Sequence, residues 1–127
     1  MSFDASVWEF FAPLLCGGRL VMPRSEVHAN VGSLAAILKK ERVTVVQMVP
    51  MLLAALVEAG GIAEAEEVRL VCCGGELLKA ELVERVLEQK HVEVANLYGP
   101  TEATVDAVLH KIQGVKHQRN VESPAQA

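Results

Sequence analysis

No apolar run in this sequence approaches the roughly 20 residues that a membrane-spanning helix requires, so a membrane protein is not expected. Clustered positive charge is missing too. Lys and Arg number 12 against 16 Asp and Glu, for a net charge of −4. The only basic run, 111–119, carries just Lys111, Lys116 and Arg119. That is too little for the electrostatic footprint of a nucleic-acid binder. The start, Met1-Ser2-Phe3-Asp4, has neither the positive charge nor the apolar stretch of a signal peptide. The three cysteines are odd in number and contain no CxxC pair. They are read as reduced thiols in a cytoplasmic protein. Adjacent Cys72 and Cys73 would point to opposite faces of a strand. His28, His91, His110 and His117 show no ligand spacing with these cysteines, which argues against zinc. Internal repeats and low-complexity segments are absent as well.

What is present is alternation. The 127 residues suffice for one domain with a real core. Asp4 or Ser6 can cap a helix over 7–15, with Pro13 marking an early kink or end and Gly17-Gly18 closing it. A short strand is expected over 19–22 and a loop over 25–32. Leu34, Ile37 and Leu38 then give helical spacing over 33–40. Residues 43–49 are nearly continuously apolar and β-branched, as in a strand buried on both faces of a parallel sheet. Pro50 suits the first turn of a helix over 51–59, followed by an acidic connector over 64–67. A third strand over 68–73 ends in Gly74-Gly75. An amphipathic helix over 79–90 presents Leu82, Val83, Val86 and Leu87 on one side, and a fourth strand spans 92–97. Strands separated by helices of this length imply βαβ crossovers, hence an α/β fold with a parallel sheet and alternating helices. Periodicity fades beyond Leu109, so the domain is expected over 1–110 and a polar tail over 111–127.

Ligands of open parallel sheets bind beyond the carboxyl ends of the strands. Gln47, the run Cys73-Gly74-Gly75-Glu76, and the run 96–102 all fall there. A glycine pair lets backbone approach a flat ligand, because no Cβ intervenes. Glu102, past a Gly-Pro turn, offers carboxylate oxygen of the kind Mg²⁺ takes beside phosphates. Singly, each feature also has an ordinary structural reading as a turn, a core edge residue or a helix cap.

In combination they resemble one family. Phe3-Asp4-Ala5-Ser6-Val7-Trp8-Glu9 resembles the FDxS motif of nonribosomal peptide synthetase adenylation domains, and Asn96-Leu97-Tyr98-Gly99-Pro100-Thr101-Glu102 resembles their NxYGPTE motif. Gly74-Gly75-Glu76 lies between the two, and the resemblance covers residues 2 to about 108. It implies an ATP-dependent, amino-acid-adenylating ligase with Mg²⁺. The aminoacyl group would pass to phosphopantetheine on a peptidyl carrier domain, and a condensation domain would be a further partner. Asp4 would pair with the substrate α-ammonium group, and Tyr98 would stack on adenine. Asn96, Gly99 and the Gly74-Gly75-Glu76 backbone would lie near the nucleotide. Thr101 would touch the α-phosphate and Glu102 would hold Mg²⁺. The side-chain pocket would comprise Asp4, Ala5, Trp8, Gln47, Val71, Cys73, Leu97, Val105 and Asp106. Polar Gln47 and Asp106 with bulky Trp8 suggest glutamine or glutamate as substrate.

The family's phosphate loop, ribose-binding aspartate, hinge and catalytic lysine lie outside the matching stretch. The 127 residues alone are therefore expected not to catalyse adenylation, since the main donors to pyrophosphate and transition-state charge would be missing. Two other readings stand beside this one. An acyl-CoA or aryl-acid ligase fragment is disfavoured by Asp4, because those substrates carry no ammonium group. A free-standing α/β nucleotide-binding module without catalysis would need to fold and bind nucleotide by itself.

Overall fold

The computed structural model describes residues 5–98 and 108–113. Its chain order is α1 (Ala5–Leu15), a 3-10 turn (Ser25–Ala29), α2 (Val31–Lys40), β1 (Val45–Met48), α3 (Pro50–Glu58), α4 (Gly61–Glu64), β2 (Leu70–Gly74), α5 (Ala80–Gln89), β3 (Glu93–Tyr98) and β4 (Val108–Gln113). The four strands form one sheet in the order β1-β2-β3-β4. The first three run parallel, and β4 is antiparallel to β3. This is the α/β architecture that the alternation implied, with one strand added where the sequence pattern had faded.

Local chemistry explains most boundaries. Pro13 sits inside α1, which nevertheless continues to Leu15; the proline forfeits the bond its own N–H would make, and its ring crowds the carbonyl four residues back. Gly17, at φ +70°, then turns the chain. Asn30 starts α2 two residues earlier than expected, its Oδ1 accepting from the Ser33 amide at 3.1 Å as an N-cap does. At the other end, the amides of Arg42 and Val43 donate back to the carbonyls of Lys39 and Leu38. Arg42 is left-handed at φ 51°. This is a Schellman closure in which arginine takes the place usually held by glycine. Its guanidinium meets Glu67 at 2.9 Å. Pro50 opens α3 at its first turn as expected. A short helix that the sequence did not suggest, α4, precedes the acidic connector and shares only Glu64 with it; Gly61 lets α2, α3 and α4 converge. A Cβ there would lie 2.5 Å from Leu56 Cδ1 and 2.9 Å from Ala35 Cβ.

The strand expected over 19–22 does not form. Residues 18–24 adopt no regular element, and no backbone bond ties them to β1. Arg19 instead binds Glu41, at 2.9 Å to Oε2 and 2.8 Å to the backbone carbonyl, while Met22 is exposed. A strand is made by a ladder partner as well as by its own residues. The apolar run here lines a hollow beside β1 without joining it.

The core lies on one face of the sheet. Leu34 and Leu38 of α2, Leu53, Leu56 and Val57 of α3, Ile62 of α4 and Val83 and Val86 of α5 cluster there with Val46, Met48, Val71, Cys73 and Val94. Each fully buried aliphatic side chain contributes roughly 1.5–3 kcal/mol. A smaller cluster on the opposite face joins Cys72, Ala95 and Leu97, with half-buried Trp8 and Leu70 against them.

Candidate functional site

The carboxyl ends of β1, β2 and β3 converge at one edge of the sheet. The registers align Gln47 with Cys72 and Met48 with Cys73, then Cys72 with Ala95, Cys73 with Asn96 and Gly74 with Leu97. Neighbouring strands lie about 4.8 Å apart, so Gln47, the Gly74-Gly75 turn and the Asn96–Tyr98 end occupy one continuous rim. The two glycines play different parts there. Gly75 needs to be glycine for its backbone, at φ +83°, a region that costs other residues strain. Space beyond it is open, the nearest atom to an added Cβ being Val49 Cγ1 at 3.9 Å. At Gly74 an added Cβ would press on the Leu97 carbonyl at 3.2 Å. Backbone is therefore bare at the rim, as close approach to a flat ligand requires. Glu76 is exposed, and Asn96, in register with Cys73, is half-buried.

Residues in register share a face, and successive residues alternate. Gln47, Cys72, Ala95 and Leu97 consequently lie on the face that Trp8 covers. Val71 and Cys73 lie on the other, both completely buried in the main core. The pocket expected from the resemblance is thus split across the sheet: Trp8, Gln47 and Leu97 come together, whereas Val71 and Cys73 do not join them. Cys72, buried between Gln47 and Ala95 in register, and Gly74, beside Leu97, occupy the matching positions on the Trp8 face. The signal for them was available only as strand parity. Adjacent Cys72 and Cys73 must face oppositely, but the strand pairing decides which one faces Gln47.

The Cys73 thiol is pushed up from its ordinary 9.0 to about 12, first by burial and then by neighbouring Cys72. It therefore stays protonated at neutral pH and is no nucleophile. All three cysteines are free thiols. Among the described residues no group of His, Cys, Asp and Glu could hold a metal ion, and no helix is long and apolar enough to cross a membrane. Asp4, Gly99, Thr101, Glu102, Val105 and Asp106 lie outside the described residues. Ala5 is placed as the first residue of α1 and Tyr98 as the last of β3, opposite Val108.

A cavity of about 820 Å³ opens between α1, the 18–23 segment and β1, with Trp8, Phe10, Val21, Leu38, Gln47 and Leu52 among its walls. Two buried polar atoms on these walls, Trp8 Nε1 and Gln47 Oε1, have no hydrogen-bond partner among the described residues. A second hollow of about 460 Å³ lies at the amino ends of the strands. Four of its charged residues pair off, Arg19 with Glu41 and Arg42 with Glu67.

The sequence model of the AMP-binding enzyme family matches residues 1–126. Tyrocidine synthase 3 of Brevibacillus parabrevis is 42% identical over 106 residues, covering 84% of this chain and 2% of that protein. Phosphinothricin tripeptide synthetase PhsB of Streptomyces viridochromogenes is 44% identical over 105 residues, covering 82% of this chain and 9% of that one. Among solved structures, the nonribosomal peptide synthetase FmoA3 in its α-methyl-L-serine-AMP bound form superposes with a TM-score of 0.79 at 32% identity, covering 91% of this chain and 14% of that one. The chain thus spans a small fraction of the length of the proteins it matches. With the two motifs, the sheet and these likenesses together, the chain belongs to the AMP-binding enzyme family, in the adenylation-domain branch of the nonribosomal peptide synthetases.

Proposed function

We propose that this chain supplies the amino-acid pocket and the adenine-facing rim of an ATP-dependent amino-acid adenylation domain. The domain activates a glutamine- or glutamate-like amino acid as aminoacyl-AMP with release of pyrophosphate. The observation that carries the reading is the rim itself. Trp8 of the FDxS helix lies over the same sheet face as Gln47 and Leu97, and bare Gly74-Gly75 backbone borders Asn96. An amino acid on the Trp8 side and a nucleotide against the glycine turn would meet at the strand ends, where the two reacting groups must be held together.

In this reading Asp4 receives the α-ammonium group, and its carboxylate discriminates amino acids from plain carboxylic acids. Cys72 and Gly74, with Trp8, Gln47 and Leu97, line the side-chain pocket; Ala5, Val105 and Asp106 complete it. Tyr98, Asn96, Gly99 and the Gly74-Gly75-Glu76 backbone hold the adenine end. Thr101 orients the α-phosphate. Glu102 is the residue for Mg²⁺, which when bound with ATP supplies charge neutralisation at the phosphates. Delivery to phosphopantetheine on a carrier domain, next to a condensation domain, follows from the adenylate product and the synthetase relatives.

The test is exchange of labelled pyrophosphate into ATP by the full-length polypeptide that carries this sequence. Amino-acid-dependent exchange that disappears in Asp4→Ala is the expected result. Exchange driven by amino acids but indifferent to Asp4→Ala would favour an acyl- or aryl-acid ligase ancestry for the pocket. No exchange with any of the twenty amino acids would sink the proposal.

A further inference from the structure

Strand β1 stands at one end of the described sheet, yet nothing in its sequence suits an edge. Residues 43–49 hold no charge and no proline, the features by which edge strands keep other strands off. The Leu70 amide donates to the Thr44 carbonyl at 3.3 Å. Backbone groups on a strand turn to alternate sides from one residue to the next, so those of Val46 and Met48 also meet β2. Those of Val45 and Gln47 face the other way, where no backbone bond reaches them among the described residues.

The 820 Å³ cavity lies on that open side, and its walls are those of a sheet interior. Val46 of β1 and Val21 of the unpaired 19–22 run both line it. Trp8 of α1 and Leu38 of α2 line it as well, and these two belong to the clusters on opposite faces of the sheet. Strand-like backbone thus borders the hollow along two sides, and a helix covers each face. One residue of a packed strand takes about 160 Å³, from about 3.3 Å of rise, 4.8 Å of width and 10 Å of depth. The cavity therefore has room for about five residues, an ordinary strand length. The chain path agrees. The 19–22 run, α2 and β1 follow one another as in a βαβ unit, and at the switch point of doubly wound sheets two consecutive strands flank a third.

Resting on the reading of this chain as part of an adenylation domain, we infer that the hollow is a strand position. The longer polypeptide fills it with an extended segment of about five residues, apolar on both faces and parallel to β1. Pairing with the outward groups of Val45 and Gln47 gives that segment its register, and helix cover on both faces demands its apolar character. Such a segment has a source, since the matched stretch is only 14% of FmoA3 and 9% of PhsB. A second copy of this chain fits poorly. Its β1 carries helices over both faces, and these would collide with α1 and α2 before the strands met.

The test is residue-resolved hydrogen–deuterium exchange in the full-length polypeptide, read together with light scattering for its oligomeric state. The Val45 and Gln47 amides should exchange at least about 100-fold more slowly than an exposed amide, as in an interior strand. A double variant, Val21→Cys with Val45→Cys, then asks what occupies the position. With a strand between them the two runs lie about 9.6 Å apart, beyond the roughly 7 Å over which a disulfide closes. Oxidation should therefore leave these two thiols unbridged. Unprotected amides at Val45 and Gln47 would overturn the inference. A disulfide would overturn it too, by placing the 19–22 run directly on β1. Protection that appears only in a dimer would overturn it in favour of a second copy. If the double variant fails to melt cooperatively, exchange in the unaltered polypeptide decides by itself. Pyrophosphate exchange enters none of these readouts, so the adenylation proposal stands or falls separately.

Discussion

On the face of the sheet covered by α2 to α5, Val71, Cys73 and Val94 are completely buried within the main apolar cluster. On the opposite face, the hydrophobic neighbours of Cys72, Ala95 and Leu97 among the described residues are half-buried Trp8 and Leu70. Two buried polar atoms are left unpaired on that side, and α1 carries Val7, Phe11, Leu14 and Leu15 exposed to solvent. The same three strands serve both faces, so the difference comes from what lies over them. A close-packed face spends its residues on stability. The Trp8 face keeps polar atoms unpaired and a cavity beside them, as a binding pocket needs. The split also explains why the family motifs border the second face: Asn96–Tyr98 ends β3, and Trp8 lies on α1.

The contrast can be broken most severely by emptying the first face. Leu56→Ala, at a completely buried position, should cost about 2–5 kcal/mol through lost transfer energy and an unfilled cavity. Leu14→Ala, on the exposed side of α1, should stay within about 0.5 kcal/mol. Denaturant unfolding of the two variants measures the difference directly. Equal losses would mean that the second face is as tightly packed as the first.

A smaller effect separates the two neighbouring cysteines. The folded chain holds the Cys73 proton until about 12, whereas the unfolded chain releases it near the ordinary 9.0. Below pH 9 both states are protonated and the thiol contributes no pH dependence. From there towards pH 12 the unfolded state binds fewer protons, so stability falls as pH rises. Melting temperatures taken from pH 8 to 11 should show that decline, and Cys73→Ala should flatten it. Iodoacetamide at pH 8, read by mass spectrometry, should label exposed Cys16 well before either buried thiol. Early labelling of Cys73 would contradict its place in the core.

The smallest effect is expected where the 18–23 segment is tethered at the outer edge. Arg19→Ala removes an exposed pair with Glu41 and a bond to its carbonyl. Such a pair contributes at most about 1 kcal/mol, so a thermal melt should hardly move. A loss well beyond that would show that the tether holds α1 in place over the second face.

Much of the architecture was legible because its causes are local. Leu34 and Leu38 on one side of α2, Pro50 opening α3, and Leu82, Val83 and Val86 lining one side of α5 are decided within a few residues of chain. The failures have nonlocal causes. Leu20 and Val21 read as strand, yet no ladder partner meets them. Strand β4 falls where the sequence turns polar, and its pairing with β3 makes it a strand. Helix α4 exists because a bare Gly61 admits Leu56 and Ala35 from two other helices. In the site, Trp8, Gln47 and Leu97 were named from the family resemblance and do gather on one face. Val71 and Cys73 were named with them and point the other way.

By itself the sequence determined helices α1, α2, α3 and α5, the three parallel strands between and after them, and membership of the AMP-binding family. Those follow from capping, apolar period and contiguous motifs, all of which are written along the chain. Tertiary structure alone decided that Cys72 rather than Cys73 looks towards Gln47, and that Trp8 and Gln47 share a cavity with their polar atoms unspent. Side chains on a strand alternate with a period of two, so a face is defined only once a partner strand has fixed the register.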